Sequence, residues 1–462
     1  MVLFLGHARA QVDNNKRLEG SWLGTLSVNS INLRVIFKFK LSGDTVKVTL
    51  DSPDQGAKNI PLKGGWMKGD SVFIDAPALR GFYHGVMLPG DSLVNGNWTQ
   101  GGASMSLTLH HLKMEFKMNR PQEPKGPFPY VSEDLTFLNA KANIELAGTL
   151  TLPQGKGPFP AVVMVTGSGR QNRDEELMGH KPFLLIADYL TRHGIAVLRY
   201  DDRGSFRSQG NFAESTTFDF ADDAEAAFNY LRQRKEINPK EIGIIGHSEG
   251  GLIAPIVASR NPQVAFIVML AGPGVPGSDI ILEQIRLIDQ AAGMSKEKID
   301  NALKAEEKLF RILKQQPDQE RAAEMMTGVL DKNIEEDKDA TPEEKVQAKS
   351  SIPMEIKQIN TVWFRTFIDT DPRDYLSKVK CPVLALNGAK DLQVPPDLDL
   401  AEIEKALKKA GNKHSEVKKM PDLNHLFQHC TTGSPMEYGQ IEETFSPEAL
   451  GIIADWILKT VK

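Results

Sequence analysis

The sequence predicts an α/β fold: a mostly parallel central sheet with helices on both faces, preceded by a small all-β domain and interrupted by a helical insertion. Three observations predict it. From residue 161 onward, short apolar runs alternate with amphipathic runs of helical length, as strand–helix units do. Residues 19–118 hold only short β-rich runs separated by Gly, Asn and Asp turns. Residues 276–370 are charged and helix-favouring, and the strand pattern stops there before resuming.

Each element has its own signal. "MVLFLGHARAQ" joins a short apolar run to Ala8-Arg9-Ala10, the small-residue pattern of a signal-peptide cleavage site. The run is short and no basic stretch precedes it. Residues 1–18 therefore read as an export-signal remnant or a flexible start, and the expectation is a periplasmic or secreted bacterial protein, with the cytoplasm left open. In the next hundred residues "NLRVIFKFKL", "DTVKVTLDS", "DSVFIDA" and "SMSLTLHHL" read as strands, and "SGD", "KGGWMKGD" and "LPGDSLVNG" as turns, which suits a small barrel or sandwich. His110 and His111 are adjacent on a strand, point to opposite faces and make a poor metal pair. "NRPQEPKGPFPY", residues 119–130, is a proline-rich linker.

A hairpin-like pair, "EDLTFLN" and "NIELAGTLTLP", opens the α/β part, which takes residues 131–275 and 371–462. "AVVMVTG", "IAVLRYD", "IGIIGH", "VAFIVMLAG", "KCPVLALNGAKD" and "HSEVKKM" are strands. "KPFLLIADYLTRHG", "TTFDFADDAEAAFNYLRQRK", "EGGLIAPIVASR" and "SPEALGIIADWILKTVK" are helices; the second has a threonine N-cap and acids in its early turns. Residues 276–370 are expected to lie over the sheet's C-terminal edge as a cap, or to be a solvated excursion.

Composition narrows the function classes. A chain of 462 residues exceeds one typical core, so two or three domains are expected. A net charge of −5 gives no electrostatic reason for a nucleic-acid partner. No apolar run approaches the roughly 20 residues that span a bilayer. Cys381 begins a strand and Cys430 follows a loop beyond the other end of that sheet, a separation of roughly 20 Å against the ~6 Å of a disulfide.

The chemistry centres on "GIIGHSEGGLIAP", residues 243–255. Gly-x-Ser-x-Gly alone is weak, but here an apolar strand precedes it and a helix follows, the setting of a nucleophile elbow. The turn strains the serine backbone, and glycines at 246 and 250 remove collisions with the adjoining strand and helix. Ser248 is then presented at a helix N-terminus. A serine nucleophile needs a base. "MPDLNHLFQHC" offers His425 and His429, and His425 lies sooner after the strand in the more loop-like context. The base needs a carboxylate. Asp391 follows the strand that resumes after the insertion; Asp422 is the second candidate. An oxyanion needs two backbone N–H donors. Glu249 N–H supplies one, and Ser168 N–H in the turn after "VVMV" the other, with Gly169 as its alternative.

"GSGRQNRDE", "GHKPFLLIADYL", "GIAVLRYDDRGSFRS", "GHSEGG", "NGAKDLQVP" and "LNHLFQ" together resemble bacterial α/β-hydrolases. The similarity is to the dienelactone-hydrolase-like and prolyl-oligopeptidase-like serine esterases that carry an N-terminal β domain. The resemblance implies the α/β-hydrolase fold and the chain order Ser248, Asp391, His425. It implies hydrolysis of a small-molecule carboxylic ester through an acyl-enzyme, with no metal or cofactor. Phe206 stands where relatives often have the second glycine of Arg-Gly-x-Gly-x-Ser, in a loop bordering the site. Asp202 and Arg203 share that loop and either meet a substrate carboxylate or brace the loop as an ion pair. His180 either lines the pocket or merely opens a helix, and Trp363 and Phe364 either wall an apolar pocket or pack the insertion. The rival readings are a serine peptidase of the prolyl-oligopeptidase type, a thioesterase or acyltransferase, and a non-catalytic glycan- or envelope-binding protein. About 100 residues cannot form the propeller such peptidases usually carry. Oligomeric state is open.

Overall fold

A computed structural model describes residues 15–28, 31–42 and 45–462. Residues 1–14, which hold most of the expected export signal, lie outside the described residues. The chain forms two compact units. One takes the chain through Arg120 together with Leu177–Gly179 and Met436–Glu442, and the other holds the remainder.

The first unit is all-β. Its strands are β1 (Gly20–Val28), β2 (Ile31–Ser42), β3 (Thr45–Ser52), β4 (Ala57–Pro61), β5 (Gly64–Lys68), β6 (Ser71–Ala76), β7 (Gly81–Met87), β8 (Leu93–Gln100) and β9 (Ala103–Leu112). They form one antiparallel sheet in the order β4-β3-β2-β1-β9-β8-β7-β6-β5. Alternation drives it: β7 buries every second residue, and Trp22, Phe37, Tyr83 and Trp98 meet in a single core. Two segments that read as turns are strands in part. "KGGWMKGD" contains β5, and "LPGDSLVNG" runs into β8. Their glycines conceal a period-2 pattern carried by few side chains, Met67 and Val94 among them. Arg120 is buried and donates to the carbonyls of Met178, Gly439 and Ile441, which ties the two short later pieces into this unit. His111 bonds the Glu19 carbonyl and packs against Trp22. No cluster of three or more His, Cys, Asp or Glu suited to a metal occurs among the described residues.

The second unit is the α/β part. Its strands are β10 (Val131–Asn139), β11 (Ile144–Leu152), β12 (Phe159–Val165), β13 (Ala196–Tyr200), β14 (Ile237–His247), β15 (Ile267–Leu270), β16 (Val383–Gly388) and β17 (Ser415–Met420). The order is β10-β11-β13-β12-β14-β15-β16-β17, antiparallel from β10 to β13 and parallel beyond. Side chains of β12 alternate between two cores. Val163 and Val165 pack with residues of the helices Thr217–Arg232, Glu249–Arg260 and Pro396–Lys409. Val162 and Met164 pack with those of Pro182–Arg192 and Pro447–Thr460. Thr216 caps its helix in a reciprocal box with Asp219, as the threonine-led sequence predicts.

Strand order also locates the crevice. After β12 the chain moves to β13 on one side, then returns to β14 on the other. That reversal opens a crevice beyond the carboxyl ends of β12 and β14, where ligands bind in open α/β sheets. Residues 166–169 follow β12, and Ser248 follows β14.

Between β15 and β16 lie the helices Gly277–Ala291, Lys296–Gln315, Gln319–Glu336, Pro342–Ile359, Val362–Asp369 and Arg373–Leu376. Asp399 secures the entry to this insertion. Its Oδ1 accepts from the N–H of Gly274 at 2.6 Å and of Val275 at 3.3 Å. Its Oδ2 is buried without a partner, and burial pushes the carboxyl up to about 7. Cys381 and Cys430 are not joined in a disulfide, Cys430 Sγ lying 3.6 Å from the Asp422 carbonyl oxygen, and no described helix is long and apolar enough to cross a membrane.

Two predictions follow from this packing. A methyl at Gly250 would lie 2.1 Å from the Val165 carbonyl oxygen, which is backbone and cannot turn aside. Gly250→Ala should lose on the order of 1–3 kcal/mol or more, read as a fall in the urea midpoint; an unchanged midpoint would contradict the close packing. Asp399 has a folded pKa above its unfolded one. Its stabilising contribution is therefore complete below pH ~4 and lost as pH rises through about 7. Asp399→Asn should flatten the decline in Tm between about pH 5 and 8; parallel curves for variant and wild type would refute that.

Candidate active site

The elbow is the fixed point of the site. Ser248 has φ 53° and ψ −119°, a conformation costly for a residue with a Cβ. A Cβ on Gly246 would stand 1.9 Å from the Gly250 carbonyl oxygen, so side chains at both positions are excluded. Ser248 N–H is held by the Leu270 carbonyl at 2.8 Å, and the side chain is half-buried at the start of the helix Glu249–Arg260.

His425 and Asp391 arrive on two other loops. His425 Nδ1 lies 2.8 Å from Asp391 Oδ2, with both side chains buried. Asp391 Oδ1 accepts from the N–H of Gln393 at 2.7 Å and of Val394 at 2.9 Å, which fixes the carboxylate. The histidine loop is shaped by Asn424, whose Oδ1 accepts from the N–H of Leu426 and Gln428 in a local turn. His425 Nε2 and Ser248 Oγ are not hydrogen-bonded to each other in this structure. His429 is exposed and bound to Glu443, and Asp422 is exposed and paired with Lys390.

The turn after β12 lies against the elbow: a Cβ on Gly167 would be 3.1 Å from Ser248 Cβ. Gly167 N–H is taken by Glu175 Oε1 at 2.7 Å. The amides of Ser168, Gly169 and Glu249 are claimed by no hydrogen bond among the described residues. Asp202 braces this turn, accepting from Thr166 Oγ1 at 2.7 Å and Gln171 N–H at 2.8 Å. Burial pushes its carboxyl up to about 8.

The remaining sequence candidates have defined places. Arg203 is buried and donates to Asp223 and to Asp219, so Asp202 and Arg203 have separate partners and do not pair with each other. His180 is buried, with ring nitrogens on Thr444 Oγ1 and Gln428 Nε2. Phe206 is 68% exposed at φ 47°. Trp363 stacks on Phe367 and donates Nε1–H to Glu249 Oε1 at 2.8 Å, while Phe364 packs against Phe310. Glu249 Oε1 also accepts from Thr217 Oγ1 at 2.6 Å, and burial pushes this carboxyl up to about 6 against the pull of the two donors.

Two residues of the site were not singled out from the sequence. Glu175, at φ 51°, is buried and joins Gly167 to His247. His247 is buried, with Nδ1 3.0 Å from Glu175 Oε1 and Nε2 3.0 Å from the His425 carbonyl. The available signal was a histidine ending a strand whose neighbours are all apolar, a position that demands partners.

The family match agrees with this architecture. A family model described as serine aminopeptidase, S33, matches residues 181–429, more than half of the chain. Esterase EstD of Thermotoga maritima is 28% identical over 321 residues, 68% of this chain and 66% of that protein. The uncharacterized protein YfhR of Escherichia coli K12 is 25% identical over 170 residues, 34% of this chain and 57% of its own length. The chain thus spans just under two thirds of the first relative and little over half of the second. The solved esterase Pf2001 of Pyrococcus furiosus aligns with 76% of this chain and 100% of its own, at 16% identity and a TM-score of 0.43. Through the family model's match across more than half its length, the chain belongs to the serine aminopeptidase S33 family of α/β hydrolases.

Proposed function

We propose that this chain hydrolyses carboxylic esters through Ser248, His425 and Asp391. The observation that carries the proposal is the buried His425 ring held through Nδ1 by Asp391 at 2.8 Å, on a loop whose carbonyl bonds the residue before Ser248. Asp391 fixes the tautomer that leaves Nε2 as a base and stabilises the imidazolium that forms. In the proposed reaction Nε2 takes the Ser248 proton as Oγ attacks the ester carbonyl. The Oγ–His425 contact tightens when substrate binds, as such contacts do. The N–H groups of Glu249 and Ser168, with Gly169 the alternative to the second, receive the oxyanion, each worth on the order of 10²–10³ in rate. His425 returns the proton to the departing alcohol, then draws one from the water that releases the acid. The likeness to an esterase over 68% of the chain supports the choice of ester. An exported location belongs to the same proposal and rests on the Met1–Gln11 pattern.

The family's description favours a second reading, cleavage after a free N-terminal residue. Such an enzyme needs an ionised carboxylate open to the substrate ammonium. The acids beside the elbow, Asp202 and Glu249, border a cavity of only about 10 Å³, the size of one water, and Asp202 has both oxygens occupied. The ester reading is therefore the stronger.

The test is hydrolysis of chromogenic esters from acetate to decanoate, with an aminoacyl anilide alongside. Ser248→Ala should abolish ester turnover, and Asp391→Asn should reduce kcat on the order of 10⁴-fold. Full activity in Ser248→Ala would end the proposal, and cleavage of the anilide alone would replace it with the peptidase. We also read the helical insertion as a cap fastened by Trp363. Trp363→Phe keeps the stack on Phe367 but loses the bond to Glu249. KM for the longest esters should rise about tenfold while acetate turnover stays near wild type; an unaltered chain-length profile would count against the fastening.

A further inference from the structure

Two loops and the end of β14 meet at one buried pair that the proposed reaction does not use. Glu175 lies beyond the oxyanion turn, His247 ends β14 beside Ser248, and His425 lies in the loop after β17. Glu175 Oε1 accepts from Gly167 N–H at 2.7 Å and faces His247 Nδ1 at 3.0 Å. His247 Nε2 faces the His425 carbonyl oxygen at 3.0 Å. Both partners of the ring are acceptors when Glu175 is ionised. A neutral imidazole has one N–H and serves only one of them. The contacts are all satisfied when each ring nitrogen carries a proton.

We infer that Glu175 and His247 form an ion pair that positions the oxyanion turn and the catalytic-histidine loop against the elbow, with His247 an imidazolium at neutral pH. The inference rests on the esterase reading for its kinetic consequences, though not for the charge state itself. Neither residue touches the reacting atoms, so both are positioning residues. Glu175 sets Gly167, and hence the amides of residues 168 and 169. His247 sets the backbone of residue 425, and hence the reach of the ring beyond it.

The surroundings favour the charged ring. Burial, the largest single influence, pushes His247 down, but the Glu175 carboxylate, the His425 carbonyl and the Asp391 carboxylate together outweigh it and leave the ring above the ordinary histidine value. From the loop after β17, the His425 ring faces it at a centroid distance of 4.9 Å, with the Asp391 carboxylate behind that ring also favouring a positive charge. On the Glu175 side the other acid is Asp202, held neutral at pH 7 by burial. The small cavity that Glu175 and His247 border is otherwise lined by apolar residues, Phe183, Ile186, Leu270, Leu426 and Phe445 among them. The sign is then fixed. A raised histidine pKa means the link is complete at lower pH and fails as pH rises through that pKa. The pair should therefore set an alkaline limb.

The test uses the full chain labelled with ¹⁵N-histidine. At about pH 8, above the ordinary histidine range near 6.5, the wild-type spectrum should contain one buried ring protonated on both nitrogens. No such ring would overturn the inference whatever the enzyme does with esters. Glu175→Gln keeps an acceptor for Gly167 N–H but removes the charge. In that variant the doubly protonated signal should vanish at pH 8, kcat should fall on the order of 10- to 100-fold with KM little changed, and the alkaline limb should move to lower pH. Retention of the wild-type kcat and pH profile in a folded Glu175→Gln would also overturn it. If the wild type turns over no ester, the esterase reading fails separately, and the spectrum still decides the pair.

Discussion

The close approach of the elbow to the end of β12 is the constraint on which the rest of the site depends. The peptide of Gly250 passes so near the carbonyls of Val165 and Thr166 that no side chain fits there. This proximity brings the turn after β12 against Ser248, and it is possible only because β14 pairs directly with β12 at the strand-order reversal. The serine's left-handed φ is the backbone cost of turning from strand to helix within one residue, and the Leu270 carbonyl helps to hold it.

The same turn sends three consecutive side chains to different tasks. His247 points into the core toward Glu175 and the His425 backbone. Ser248 remains half-open at the crevice. Glu249 points back to Thr217 and to Trp363 of the insertion. In a regular strand the first and third of such neighbours would share one face. The sharp turn therefore lets one tripeptide connect the turn after β12, the His425 loop and the insertion.

Much of this was legible in the sequence, for a physical reason. Strands buried on both faces read as apolar runs, and their helices as periodic ones, so the order of elements from β12 to β17 could be read directly. Ser248 was legible because steric exclusion leaves glycine as a trace. Asp391 and His425 were legible from their places after particular strands, but the 2.8 Å contact between them depends on the fold. Other features left no trace. β5 and part of β8 were hidden because glycine contributes to neither face of a strand. Glu175 sits in "RQNRDEE", a run whose polarity reads as solvated, and only the fold buries it. Arg203 read as one half of a pair with Asp202, whereas its partner is Asp223 on the next helix. Local sequence reports burial by pattern, but it does not report which buried charges meet.

The charges around the elbow show why those meetings matter. In the proposed reaction negative charge develops beside the amides of residues 168 and 249, and any uncompensated carboxylate nearby opposes it. At ~5 Å and an effective dielectric constant near 20, one such charge costs about 3 kcal/mol. Each acid close to the crevice is answered differently. Asp202 is kept protonated at neutral pH by burial, and still holds Thr166 and Gln171. Glu249 has its charge answered by two donors, the Thr217 hydroxyl and the Trp363 indole N–H. Asp391 carries a charge matched by the imidazolium that forms on His425. Glu175 is the acid nearest the turn, bonded to Gly167 itself, and neutralising it by protonation would weaken its hold on that amide. Placing a second histidine one residue before the nucleophile resolves the conflict: the carboxylate keeps its charge and its grip, while the turn experiences a neutral pair.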